Sequence, residues 1–130
     1  MNQAADLTLI EGAGGWRVPL NNQETMAQLP ILLQMPVVLV VGMRLGCINH
    51  ALLTAEAIAR DGLTLAAWVA NGIMADMPAY AENVATLQSL INAPFLGQIP
   101  HMQQSSNHQS KIVQGANYLD LTAIGIGLSP

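Results

Sequence analysis

An acidic residue stands where a short apolar run meets a cluster of small residues. The run, residues 6–10, ends at Glu11, and the sequence Gly-Ala-Gly-Gly follows at residues 12–15. A carboxylate in this position can hold Mg²⁺ directly or through water beside phosphate groups. The small residues let backbone N–H groups approach an anion closely. The alternative interpretation is an acidic turn residue in water, and the local sequence leaves both open.

An arginine lies in the turn between the longest apolar run of the chain and a predicted helix. The turn, residues 42–50, contains Arg44. Free N–H groups and the helix dipole attract anions to a helix start, and arginine adds a fixed charge suited to carboxylate or phosphate. The alternative is an ordinary strand-to-helix connection with a solvated arginine. We interpret Cys47 and His50 as a packed thiol and a helix-capping histidine rather than as a nucleophile and its base.

A third polar position follows another apolar run. Asn71 precedes Gly72, a common turn pair, and its amide can both donate to and accept from an adenine edge. The histidines and the single cysteine show no zinc-ligand spacing. A phosphate-binding loop requires Gly-x-x-x-x-Gly-Lys-Ser/Thr. Lys111 is the only lysine and Ile112 follows it, so the sequence contains no such loop.

Composition excludes several classes of protein. Hydrophobic residues make up 52% of the sequence and charged residues 9%, which is too apolar for a disordered chain. The longest apolar run, residues 36–43, is shorter than the roughly 20 residues that a bilayer requires. The net charge is −4 and the four cations are dispersed, which argues against nucleic-acid binding. A single cysteine and no recognisable signal peptide predict a cytoplasmic location.

Strands and helices must bring the candidate site residues together, and the hydrophobic pattern of the sequence predicts where those strands and helices lie. We expect strands at residues 6–10, 37–41, 65–70 and 95–99, and helices at 25–34, 49–60, 80–91 and near 117–124, with a polar loop at 101–109. The expected N-caps are Thr25 and Asn49. This order predicts a single α/β domain over residues 1–130, with a parallel sheet of about four strands flanked by helices.

The predicted sheet places the polar positions on one rim. Ligands of open parallel sheets bind beyond the carboxyl ends of the strands. Glu11, Arg44, Asn71 and Pro100 each lie at or just after such an end. Although they are far apart in the sequence, we therefore expect them to line one ligand-binding edge.

Three segments resemble the dethiobiotin synthetase family in order and spacing. They are residues 9–16 (Leu-Ile-Glu-Gly-Ala-Gly-Gly-Trp), 40–51 (Val-Val-Gly-Met-Arg-Leu-Gly-Cys-Ile-Asn-His-Ala) and 65–72 (Leu-Ala-Ala-Trp-Val-Ala-Asn-Gly). Residues 117–121 also resemble the C-terminus of that family. The resemblance implies a partial P-loop NTPase-like fold and a homodimeric, ATP- and Mg²⁺-dependent ligase. Such a ligase closes the ureido ring of dethiobiotin from 7,8-diaminopelargonate and CO₂, through a phosphorylated carbamate.

The resemblance also implies roles for individual residues. Glu11 would bind Mg²⁺, and a set of small residues would lie near the phosphates and substrate: Gly12, Ala13 and Gly14. The nucleotide base would be met by Asn71, Gly72, Pro100, His101 and Met102, with Asn107 near the nucleotide. The substrate carboxylate would meet helix-start amides across the dimer interface, at Leu45, Gly46, Cys47, Ile48 and Asn49. Arg44 would be the catalytic cation.

The sequence departs from the family pattern at three points. The family usually has lysine at the position of Arg44, and some relatives have an acid at the position of Asn107. The segment that carries the phosphate loop, a second metal-binding acid and the lysine that meets the amines has no counterpart here. We therefore expect this chain to be inactive or nearly so alone. Two alternatives remain: a non-enzymatic remnant that associates with another chain, and a related amide-forming ATPase of cofactor biosynthesis.

Overall fold

The computed structural model describes residues 7–102 and 108–125 as an α/β arrangement. Its strands are β1 (Val37–Met43), β2 (Leu65–Gly72) and β3 (Phe95–Ile99). Its helices are α1 (Gln28–Leu33), α2 (Cys47–Arg60), α3 (Tyr80–Leu90), α4 (His108–Ala116) and a 3-10 helix, η1 (Leu121–Ile124). Within these ranges no helix is both long and apolar enough to cross a membrane.

The three strands form one parallel sheet in the order β1-β2-β3. Asn71 of β2 pairs with Gly42 of β1 on one side and with Ile99 of β3 on the other. The carboxyl ends of all three strands are therefore level. The predicted parallel α/β sheet flanked by helices is confirmed.

One face of the sheet carries the main core, because the inward side chains of β1 and β2 meet α2 and α3. Met43 and Trp68 are fully buried there, and Trp68 packs on Phe95 with ring centroids 4.4 Å apart. The helices contribute Cys47, Ala51, Val84 and Leu87 to the same cluster. The prediction that Cys47 is a packed thiol is confirmed.

The opposite face is covered over β2 and β3 but not over β1. Ala67, Val69 and Leu96 are buried there beneath residues 119–124. Val38 and Val40, the register partners of Ala67 and Val69 on β1, remain 37% and 58% exposed. Within the described residues, the cover of this face therefore ends before β1.

The strand predicted at residues 6–10 is wrong over the residues that the structure describes there. Residues 7–10 are exposed and form no strand. A β-strand gains its stability from hydrogen bonds to a neighbour and from packing on another element. Among the described residues, no neighbouring strand pairs with residues 7–10 and no element covers them. The apolar pattern alone therefore does not produce a strand.

The boundaries of two predicted helices also require correction. The first helix begins at Gln28, because Thr25 forms an isolated bridge with Pro19 instead of capping it. Helix α2 begins two residues before Asn49, because Gly46 takes a left-handed conformation with φ 88° and starts the helix there. Glycine adopts this conformation without the steric cost of a side chain.

The carboxyl end of the chain also differs from expectation. Helix α4 begins inside the predicted polar loop, and its apolar residues Ile112 and Val113 are exposed. The helix predicted near residues 117–124 is only the short η1. Helix α4 has few apolar residues and contains Gly115, so its sequence did not indicate a packed helix.

Alanine at Gly97 is expected to destabilise the fold strongly. Gly97 has φ 144°, and an added Cβ would collide with the backbone carbonyl oxygen of Tyr118. Backbone strain and overpacking each cost about 1–3 kcal/mol, so Gly97→Ala should lower the free energy of unfolding by about 3 kcal/mol.

Gly62→Ala is the matched control, because Gly62 also has a left-handed φ but nothing lies within 4 Å of its added Cβ. Strain alone should cost about 1–2 kcal/mol at Gly62. Urea denaturation of both variants measures the difference. Equal losses would contradict the steric explanation.

Candidate functional site

The residues that follow the three strands meet at one edge of the sheet. Arg44 follows β1, the Asn71-Gly72 pair ends β2, and Pro100 follows β3. The level strand ends bring these positions to the same rim. Two clefts open along it, one beyond β2 and β3 and the other between β1 and α2.

The first cleft, which we call the β2–β3 cleft, has a volume of about 720 Å³. Its lining consists of Gly72, Met74, Ala75, Asp76, Met77, Pro78, Tyr80, Gln98, Pro100 and His101. It therefore contains three of the residues expected to meet a nucleotide base. Asn71 does not line it, and Met102 instead lies close to Gly115 of α4.

The backbone at Gly72 leaves no room for a side chain. A Cβ there would lie 2.8 Å from the backbone nitrogen of His101 and 3.0 Å from the carbonyl oxygen of Ile99. Both atoms belong to backbone, which cannot yield as a flexible side chain can. Glycine is therefore required for the turn after β2 to lie against the end of β3.

The second cleft, the β1–α2 cleft, has a volume of about 670 Å³. One wall is the glycine segment, defined here as residues 14–19. The other side is formed by residues 40–42, Arg44, Cys47, His50, Leu53, Thr54, Ala57 and Ile73. The structure thus brings Gly14 and Arg44 to one cavity although they are 30 positions apart in the sequence.

The remaining residues of the acidic motif lie outside both clefts. Glu11, Gly12 and Ala13 are exposed, and neither cleft has them in its lining. In the described part of the chain, no group of three or more His, Cys, Asp or Glu side chains could hold a metal ion. Glu11 can therefore supply a metal with one carboxylate, and oxygen ligands from elsewhere would have to complete the coordination shell.

The start of α2 presents backbone donors beside Arg44. Gly46 has no side chain with which to cap the helix, and the first turn contains no acidic residue. The Cys47 N–H donates to the Arg44 carbonyl at 3.0 Å. The next amides, of Ile48 and Asn49, face a position where the helix dipole favours an anion. Leu45 is 97% exposed, which makes this turn prominent on the surface.

A long-range contact that the sequence did not predict holds the glycine segment. The indole Nε1 of Trp16 donates to Oδ2 of Asp61 at 2.7 Å, and Nη2 of Arg17 donates to Oδ1 at 2.7 Å. These bonds, first that from Arg17 and then that from Trp16, lower the pKa of Asp61 below its ordinary value. A carboxylate at the carboxyl end of a helix is disfavoured by the dipole, and this was the one local signal that Asp61 has a partner elsewhere.

The sequence analysis misassigned or missed other lining residues. The prediction of His50 as a helix cap is wrong, because His50 lies inside α2, whose N-cap is Gly46 and which has no side-chain cap bond. His50 and Thr54 instead stand one helical turn apart on the face of α2 that borders the β1–α2 cleft. Residues 74–78 form part of the β2–β3 cleft although they lie in no helix or strand. The i, i+4 spacing could have indicated the first pair. Asn107, expected near the nucleotide, lies outside the described residues.

Comparison with known proteins adds to this geometry. A family model described as an AAA domain matches residues 1–109. The ATP-dependent dethiobiotin synthetase of Cellvibrio japonicus (strain Ueda107) is 58% identical over 120 residues, which are 92% of this chain and 50% of the relative. That of Pseudomonas aeruginosa (strain UCBPP-PA14) is 54% identical over 124 residues, 95% of this chain and 52% of the relative.

A more distant relative shows the same relation. An ATP-dependent dethiobiotin synthetase of Yersinia pestis is 47% identical over 124 residues, which are 95% of this chain and 54% of the relative. The chain spans about half the length of the curated relatives it matches. The similarity therefore covers both clefts but only about half of each relative.

The bonds to Asp61 should survive to unusually low pH. A lowered pKa means that their contribution to stability is complete above the ordinary Asp value of 3.8 and is lost as the pH falls through the lowered value. The indole ¹⁵N–¹H resonance of Trp16 should therefore hold its position from neutral pH to about pH 4 and move only below it.

Asp61→Asn provides the control, because its side chain does not titrate. The Trp16 resonance of that variant should show no such acid transition. A transition of the native resonance centred above pH 3.8 would contradict the lowered pKa.

Proposed function

This chain belongs to the AAA domain family, and we propose that it forms the nucleotide-base and substrate-carboxylate parts of an ATP-dependent dethiobiotin synthetase. The observation that carries the proposal is the pair of clefts at the level ends of the parallel strands. The similarity to dethiobiotin synthetases over 92–95% of the chain supplies the chemistry that the two clefts would serve.

The β2–β3 cleft is the proposed site of the adenine ring. Its lining is largely apolar and includes Met74, Met77, Tyr80 and Pro100. An aromatic base gains from such surroundings, and a few polar groups at the edge then fix its orientation. The backbone at Gly72 and His101 provides the proposed edge contacts. Asn71 ends beside the cleft without lining it, so its proposed contact with the base requires its side chain to change position. Met102 and Asn107 would complete this region.

The β1–α2 cleft and the start of α2 are the proposed sites for the substrate. Arg44 would supply a positive charge, and the amides at residues 45–49 would receive the carboxylate of 7,8-diaminopelargonate. The small residues Gly12, Ala13 and Gly14 would lie beside the phosphates. We place the carboxylate site across a homodimer interface, because the turn at Leu45 projects from the surface.

The proposal assigns one protein ligand, Glu11, to Mg²⁺. Mg²⁺ in phosphoryl-transfer sites is held by one or two carboxylates together with phosphate oxygens and water. Glu11 is exposed and would provide one such carboxylate. When bound, the ion would neutralise charge on the phosphates.

The proposed reaction begins with the carbamate that 7,8-diaminopelargonate forms with CO₂. A carbamate oxygen attacks the γ-phosphorus of ATP and ADP leaves. The second amine then attacks the carbamate carbon, and the ureido ring closes as phosphate departs. The contribution of this chain is to hold the base and the carboxylate so that the reacting groups meet.

The chain contains no lysine in a phosphate-binding loop, so we propose that it acts together with polypeptide that carries one. The open outer edge of β1 and the exposed Val38 and Val40 favour such an association. The same surface supports the second candidate, a non-enzymatic remnant that binds another chain. A cytoplasmic location belongs to the proposal and is supported by the single, buried Cys47.

Turnover should depend on a second polypeptide. We expect no dethiobiotin from the purified chain with ATP, Mg²⁺, bicarbonate and 7,8-diaminopelargonate. Adding a polypeptide that comprises the unmatched half of a relative, with its phosphate loop, should produce dethiobiotin and ADP in equal amounts. Omission of bicarbonate is the control. Binding of that half without turnover would favour the non-enzymatic candidate.

Nucleotide binding should depend on the absence of a side chain at residue 72. A Cβ in Gly72→Ala would press on the backbone of Ile99 and His101 and distort the proposed adenine site. In the mixture of this chain with the complementary half of a relative, we expect the affinity for ATP to fall at least about tenfold, or about 1.4 kcal/mol. Isothermal titration calorimetry measures the change.

Gly62→Ala is the control for this experiment. Nothing lies within 4 Å of its added Cβ, and Gly62 lines neither cleft. ATP affinity should therefore be unchanged. If Gly72→Ala bound ATP with native affinity, the proposal that adenine binds in the β2–β3 cleft would be wrong.

A further inference from the structure

We infer that Asp61 is a positioning residue, whose carboxylate fixes the glycine segment as a wall of the β1–α2 cleft. The inference deepens the proposed function, because that cleft is the proposed substrate site. Asp61 itself does not line the cleft. It acts through Trp16 and Arg17, which do.

The geometry joins two successive residues to one carboxylate. Trp16 and Arg17 bind different oxygens of Asp61, each at 2.7 Å. The side chain of Asp61 is only 14% exposed, whereas that of Arg17 is 45% exposed. Two short bonds, one of them charge-assisted, restrict both the position and the direction of the segment.

The segment needs such a restraint. Residues 12–18 belong to no helix or strand, and Gly14 and Gly15 have φ values of 82° and 114°. Glycines that adopt these values have many other conformations available. Beyond the two bonds to Asp61, the described hydrogen bonds hold this stretch through the Val18 carbonyl, which accepts from the Met26 N–H. Asp61 therefore selects one conformation of a segment that would otherwise have several.

The location of Asp61 argues against a purely local role. It is the C-cap of α2, where the helix dipole disfavours a negative charge. Its backbone N–H, and not its carboxylate, bonds to the helix, at the Ala57 carbonyl. A local role thus predicts that Asp61→Asn leaves the protein unchanged or more stable, whereas the positioning role predicts a loosened glycine segment.

Helix α2 connects the restraint imposed by Asp61 to the shape of the β1–α2 cleft. The side chains of His50, Thr54 and Ala57 line the cleft from α2, and Asp61 follows one turn later. The same helix therefore forms one wall and holds the other. Loss of the carboxylate should let the two walls separate without disturbing the core packing of α2.

Hydrogen–deuterium exchange of the full chain tests the inference directly. In Asp61→Asn, the amide of Met26, which donates to the Val18 carbonyl, and the indole N–H of Trp16 should exchange at least about tenfold faster, while the amides of β2 stay unchanged. Asp61→Ala, which removes every acceptor, should have at least as large an effect. The control is Glu56→Gln, which removes a charge from an exposed position of the same helix and should leave exchange unchanged. Native exchange rates in both Asp61 variants would overturn the inference.

Ligand binding separates this inference from the proposed function. In the mixture with the complementary half, Asp61→Asn should weaken the affinity for 7,8-diaminopelargonate at least about fivefold, and Glu56→Gln should not. Faster exchange with unchanged affinity would overturn the positioning role and leave a structural contact. Absence of binding to the native mixture would reject the proposed function of the cleft, and the exchange result would still decide whether Asp61 holds the segment.

Discussion

The level register of three parallel strands is the constraint on which the candidate site depends. In-register pairing of Asn71 with Gly42 and with Ile99 ends each strand at the same edge. The turns that follow must then leave the sheet side by side. Side chains separated by tens of residues in the sequence reach one rim because backbone hydrogen bonds set the register. The clefts are a consequence of that pairing together with the helices packed on one face.

The helices make the rim rigid through burial on that face. Trp68, Met43 and Leu87 are fully buried between the sheet and the helices. Close packing of large side chains transmits small displacements, so α2 and the end of β1 hold a defined relation. The opposite face lacks this reinforcement at Val38 and Val40. The face of β1 that packs on the helices is therefore rigid, and its opposite face is exposed. Strand β1 can thus help to form the rim and also contact another element.

The sequence predicted the elements that packing dictates and missed those that backbone conformation or distant contacts dictate. Strand β3 has the predicted bounds, and α3 begins at the predicted Tyr80, because apolar runs bounded by glycine or proline identify buried elements. The start of α2 was misplaced because the left-handed Gly46 carries no hydrophobic signal. The strand predicted at residues 6–10 rests on an apolar run, which does not substitute for a neighbouring strand.

The candidate site, like the fold, was predictable from the sequence only in part. Arg44, Asn71 and Pro100 could be assigned to one rim because the sequence indicates where strands end and parallel pairing aligns those ends. Glu11 was expected on the same rim, but the described residues before it form no strand and it lines neither cleft. The contact of Trp16 and Arg17 with Asp61 spans 45 and 44 positions, and no periodicity encodes it. Strand ends thus define where a ligand can bind, whereas the conformation of the glycine segment depends on one carboxylate at the far end of a helix. A rim that is set by the sheet but shaped by a distant side chain can keep its fold while its binding properties change.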